Sequence, residues 1–227
     1  MFPIGDDDSD RKIFPIVTYA LIVLNVLFFF VELGGGDAFI QKWAFVPARF
    51  IANPVADSLT LFTAMFMHAG WLHLGGNMLY LWIFGDNVED RFGHVKFLIF
   101  YLVCGLAATF AQLAFNLEST IPNLGASGAV AGVLGAYILL RPQAKIRVLQ
   151  RGGVMQVPAL IVIGLWFVLQ LFSGVGSIAA TSPDTGGVAY MAHIGGFVAG
   201  FVLTFLLRGS LGPRQNPSGH NRHPRAN

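Results

Sequence analysis

Six stretches of the chain are almost unbroken in apolar residues, at Phe14–Leu33, Trp71–Phe84, Val95–Phe115, Ala126–Leu140, Met155–Phe172 and Val188–Leu207. Most approach the ~20 residues that a membrane-spanning helix needs, and the second and fourth are short. The pattern predicts an all-α polytopic membrane protein with six transmembrane helices. The segment Gly34–Ser58 reads as a long first outer loop, rich in aromatic residues and helix breakers. Because the fourth span is short, the residues before it, Thr120–Gly125, are expected to dip into the membrane. Irregular backbone is tolerated there only when it is buried in protein or lines a wet cavity. Two of the spans carry small residues at helical spacing. Ser127, Ala131 and Gly135 share a face with Gly128 and Gly132 beside it, and His193, Gly196 and Gly200 share another. Small residues let helix backbones approach closely.

Composition agrees with the pattern. Of 227 residues, 55% are apolar and only 11% charged, which is wrong for a soluble domain. The first apolar stretch follows Asp6, Asp7, Asp8 and Asp10 and reads as an uncleaved span. With six crossings and a cytoplasmic N-terminus, twelve Lys and Arg residues fall inside and only Lys42 and Arg49 outside. Such a bias fixes orientation, with both termini cytoplasmic. The net charge of +2 then needs no nucleic-acid partner. Cys104 is the single cysteine, and neither a metal-binding spacing nor a phosphate-binding glycine loop is present, so no cofactor or metal is expected. No repeat relates the two halves, which speaks against a transporter built on internal symmetry.

Polar residues in the apolar stretches carry the chemistry, because burying them in hydrocarbon is costly. Ser127 precedes Arg141 by fourteen residues and His193 precedes Arg208 by fifteen. At about 1.5 Å per residue both lie roughly 21–23 Å above the inner face, and His73 and Asn77 on the second span lie at about 24 and 18 Å. Ser127 could simply cap the fourth helix. It could also be a nucleophile activated by His193, with its own backbone N–H turned to an oxyanion. His193 alone could be structural, and the glycines after it argue that it faces another helix. His73 and Asn77, one turn apart, are either an interhelical clamp or oxyanion donors. His68 is expected to fix a loop, Gln112 and Gln170 to bond between helices, and Asp86–Arg91 to form a solvated inner loop.

The segments HAGWLHLGGNM (68–78), GDNVEDRFG (85–93), GASGAVAG (125–132) and AHIGGFVAG (192–200) together resemble the rhomboid family of intramembrane serine proteases. The tail 209–227, rich in Pro, Gly, Asn and Arg, is expected to be disordered. The resemblance implies a six-helix bundle, placed here over 13–208 after a cytoplasmic segment 1–12. It implies a Ser127–His193 dyad without an acidic third member. It also implies an oxyanion hole of His73, Asn77 and the Ser127 N–H, with Gly128, Gly132, Gly196 and Gly200 supporting the helix packing. Two positions differ from some members: Leu59-Thr60 stands where a Trp-Arg pair occurs, and Ala131 where a tyrosine lies under the base.

The expected function is an endopeptidase that cleaves single-span membrane proteins near the extracytoplasmic side of the bilayer. The expected setting is a prokaryotic cell membrane. A rhomboid-like protein that binds membrane clients without cleaving them would carry no reactive serine. A small transporter would move solute independently of Ser127.

Overall fold

A segment surrounded by lipid must satisfy its own backbone N–H and C=O groups, and the long apolar runs do so as helices. The computed structural model describes residues 2–179 and 189–211. Strand β1 (Phe2–Gly5) leads into α1 (Ile16–Trp43), then α2 (Pro47–Ala52), α3 (Pro54–Asp57) and α4 (Thr60–Thr63), and a 3-10 turn at Ala64–Phe66. Helices α5 (Trp71–Phe92), α6 (His94–Phe115) and α7 (Ser127–Leu140) follow. A hairpin of β2 (Lys145–Gln150) and β3 (Gly153–Pro158) precedes α8 (Ala159–Ala179) and α9 (Tyr190–Leu207). Helices α1, α6, α8 and α9 are long and apolar enough to cross a membrane. The shorter α7 is apolar throughout, and α5 carries charged residues in its last turns.

Helix α7 is the axis of the molecule, and every residue from Gly128 to Tyr137 is buried. Its main neighbours are α9, α6 and α5, with a smaller contact to α8. Contact with α9 runs through glycine. A Cβ on Gly196 would lie 2.0 Å from the Gly128 carbonyl oxygen, and one on Gly200 would lie 2.0 Å from that of Gly132. From the other side, a Cβ on Gly135 would lie 2.2 Å from the Phe197 oxygen. The contact stripe on α7 is therefore Gly128, Gly132 and Gly135. Helix α8 lies at the rim, with Leu160, Ile161, Leu165, Leu169 and Phe172 all exposed on it.

Three features depart from the sequence pattern. The fold is not wholly helical, because β1, β2 and β3 form a three-stranded antiparallel sheet in that order. Met155–Pro158 belongs to β3, so the fifth helix starts at Ala159. Ile146, Val148 and Val157 point inward from the hairpin and join the core, which is why this short alternating segment is a strand. Second, α1 runs on to Trp43 through a break at Gly36, where φ is +55° and ψ −151°, a conformation open to glycine. The supposed loop is thus a resumed helix and two short ones, α2 and α3.

Third, Asp86–Arg91 is neither a loop nor solvated. It forms the end of α5, and Asp86, Asn87, Glu89 and Arg91 are all buried. Glu89 accepts the Val17 and Thr18 N–H groups at 2.9 and 2.7 Å, and the Thr18 hydroxyl at 2.7 Å. A carboxylate from another helix thereby satisfies orphan donors at the start of α1, where the helix dipole favours negative charge. Asp90 accepts the Lys12 and Ile13 N–H groups at 2.7 and 2.8 Å, and Arg11 pairs with Asp86. Arg141 donates to Asn87 and to the Asp7 carbonyl, so this arginine also fastens the N-terminal segment to the bundle.

Asp6 sits at the centre of that fastening, accepting from the Asn87 amide at 2.8 Å and the Tyr137 hydroxyl at 2.5 Å. Burial pushes its carboxyl up to about 7; the Asp86 carboxylate adds to this, and the Tyr137 hydroxyl and Arg141 oppose it. The folded state then holds a proton that an unfolded chain releases near pH 4. Linkage gives the sign: stability from this site is complete below pH 4 and is lost as pH rises through 7. The thermal midpoint in detergent should therefore fall between pH 5 and 8 in the wild type, and less steeply in Asp6→Asn. Equal slopes in the two proteins would refute the assignment.

Candidate active site

The residues singled out by their spacing converge at the end of the bundle opposite the sheet. Ser127 is the first residue of α7, one past the N-cap, which is Ala126 and has no side chain able to cap. The Ser127 hydroxyl is therefore not at the position that caps a helix. The backbone before it, which the sequence expects to dip inward, is held by pairing with the first loop. Phe45 and Asn123 exchange backbone hydrogen bonds at 3.1 and 2.7 Å, and the Gly125 N–H reaches the Ala64 carbonyl at 2.8 Å. The irregular backbone before α7 is thus satisfied by protein. Gly125, with φ +133°, leaves space that a side chain would fill; a Cβ there would lie 2.9 Å from His73 Nε2 and 3.5 Å from Ser127 Oγ.

His73 lies on the first turn of α5. Its Nδ1 accepts the Ala69 N–H at 3.3 Å, so in the neutral ring the hydrogen belongs to Nε2. That edge of the ring borders Gly125. Asn77, one turn on, donates one amide hydrogen to the His73 carbonyl at 3.1 Å, leaving the second. His68 packs its ring edge-on against His73, with centroids 5.1 Å apart. Its hold on the loop comes from its backbone, whose N–H donates to Glu32 Oε2 at 2.9 Å.

His193 is on the first turn of α9. Its Nδ1 lies 2.8 Å from Gln170 Oε1 on α8, a contact that sequence reasoning treats as ordinary interhelical bonding away from the site. Trp166, one turn before Gln170, lies against the same imidazole, with centroids 6.0 Å apart and planes at 36°. An aromatic neighbour for the base thus comes from α8, where Ala131 of α7 offers none. Gln112 bonds between helices as its type suggests, accepting the Ala192 N–H at 3.2 Å.

A cavity of about 730 Å³ joins these groups. His73, Asn77, Ser127, Trp166 and His193 all line it. A hollow of about 50 Å³ adjoins Ser127 from the side of Thr109 and Gln112. That exceeds the space one water needs. The arrangement brings together a free hydroxyl, an imidazole, further donors and room for water, which are the requirements of acyl transfer to a serine followed by hydrolysis.

Comparison with known proteins bears on the same region. The rhomboid domain model matches residues 56–210. Rhomboid protease GluP of Bacillus subtilis is 32% identical over 191 residues, covering 82% of this chain and 34% of that protein. Rhomboid protein 1, mitochondrial, of Saccharomyces cerevisiae is 32% identical over 189 residues, covering 81% of this chain and 51% of its own. RHOMBOID-like protein 1 of Arabidopsis thaliana is 28% identical over 244 residues, or 91% and 58% of the two chains. The chain thus spans between a third and three fifths of the length of these relatives. They come from a bacterium, a yeast mitochondrion and a plant, so the similarity does not select the prokaryotic membrane expected from the sequence.

Proposed function

The chain belongs to the rhomboid family, and from that premise we propose that it is an intramembrane serine endopeptidase acting on membrane-anchored, single-span proteins. The observation that carries this reading is a shared cavity. Ser127 from α7 and His193 from α9 both line it, on helices whose glycines bring the backbones into contact.

In the proposed reaction Ser127 Oγ attacks a peptide carbonyl while His193 Nε2 takes its proton. The same imidazole returns the proton to the leaving amine, and a water then hydrolyses the acyl-enzyme. Charge on the tetrahedral oxygen is met by His73 Nε2–H, the spare Asn77 amide hydrogen and the Ser127 N–H, which as a first-turn donor has no partner within its helix. A substrate helix must unwind locally, because its own hydrogen bonds shield the carbonyl from attack. Small or helix-breaking residues near the cut are therefore favoured. The cut lies toward the extracytoplasmic side, with both termini of the protease in the cytoplasm; the charge bias along the chain supports this orientation.

The test is fluorophosphonate labelling of purified protein beside cleavage of single-span substrates in liposomes. Wild type should label and cleave, and Ser127→Ala should do neither. No adduct in the wild type, or an equal one in Ser127→Ala, would leave a client-binding protein or a transporter as the better account.

A further inference from the structure

We propose that Gln170 is a positioning residue for the catalytic base, so that α8 supplies the third member of a Ser127–His193–Gln170 relay; this rests on the serine-protease reading. The argument begins with what an amide oxygen can do. Oε1 only accepts hydrogen bonds, so the 2.8 Å contact requires the hydrogen of a neutral His193 ring to be on Nδ1. Nε2 is then left with its lone pair, the form a general base needs. In serine proteases a carboxylate fixes this tautomer, and losing the tautomer costs far more than losing a contact. An amide sets the same tautomer without placing a second charge in an apolar site.

Trp166 completes the setting. It lies four residues before Gln170, so both side chains leave one face of α8. The indole lies against the imidazole and the amide holds its Nδ1, which fixes both the plane and the rotation of the ring. Neither α7 nor α9, the helices that carry the reacting groups, provides these contacts. Of the four long apolar helices, α8 is also the least enclosed, with only 17% of its apolar stretch buried. The productive tautomer of the base therefore depends on where a rim helix sits.

The experiment compares wild type, Gln170→Leu and Gln170→Glu in liposomes with a single-span substrate, and reads the His193 tautomer by 15N NMR of histidine-labelled protein. Leucine keeps the bulk and removes the acceptor. Glutamate is isosteric and keeps an acceptor oxygen in either protonation state. Gln170→Leu should lower kcat and the rate of fluorophosphonate labelling by about tenfold or more at unchanged KM, and move the ring hydrogen away from Nδ1. Gln170→Glu should restore both rate and tautomer. Unchanged kcat in Gln170→Leu, a KM effect alone, or no rescue by glutamate would overturn the role. A wild-type ring with its hydrogen on Nε2 would overturn it independently of any rate. Failure of the protease reading is seen separately, as a wild type that neither labels nor cleaves.

Discussion

His193→Ala is expected to lower peptide hydrolysis by about 10⁴-fold or more while leaving the fold intact. Nucleophile and base act as a unit in serine hydrolysis, so removing either costs nearly as much as removing both. The structural cost should be small. Among the described residues the imidazole makes one side-chain hydrogen bond, to Gln170, and it is only partly buried at the edge of the cavity. Far-UV circular dichroism and the thermal midpoint should therefore match the wild type within a few degrees. Cleavage in liposomes, followed by sequencing of new N-termini, should show no product at the wild-type position. Activity retained above about a hundredth of wild type would remove His193 as the base, since general acid–base catalysis is worth at least ~10².

Gly200→Leu is expected to damage stability and activity together. Its Cβ would lie 2.0 Å from the Gly132 oxygen and 2.6 Å from the Gly132 Cα, both backbone atoms that no side-chain rotation can clear. Overpacking of this kind typically costs 1–3 kcal/mol, and here the strain falls on the contact that sets the α7–α9 distance. Ser127 lies five residues before Gly132 and His193 seven before Gly200, toward the other end of that same pair of helices. A misplacement of about 1 Å at reacting groups can cost ~10² in rate. A lowered thermal midpoint with at least that loss of turnover is the expected result. Normal turnover would mean that this contact does not govern the distance between the two groups.

Much of the site is readable because polar residues among apolar ones are conspicuous. Ser127, His193, His73 and Asn77 stand out in runs that contain almost nothing else able to form a hydrogen bond, and heights follow from counting along a helix. The glycines beside them mark the contact for the same reason. Rotation of one helix against another is harder to read. Gln170 looks like any polar residue on a rim helix, and only the phase of α8 against α9 brings its amide to His193. The sheet was hidden differently. Phe2–Gly5 is too short to show alternation, and Met155–Pro158 runs without a polar break into the next helix except at Gln156. The buried charges at Asp86–Arg91 resemble a solvated turn because nothing local reveals that the first residues of the chain fold back over them. Residues 212–227 of the expected tail and 180–188 before α9 lie outside the described residues.

The pairing of Phe2 with Leu149 has a temporal consequence. A ribosome releases β1 long before it makes the partner strand, so β1 must wait while α1, α5, α6 and α7 are delivered to the bilayer. Asp6 and Arg11 find their partners on α5 and α7 earlier, whereas Phe2 finds Leu149 only when the hairpin emerges. Assembly is thus closed by a strand made before the helices it clasps, and a change that blocks β1 would burden the final act of maturation more than the insertion that precedes it.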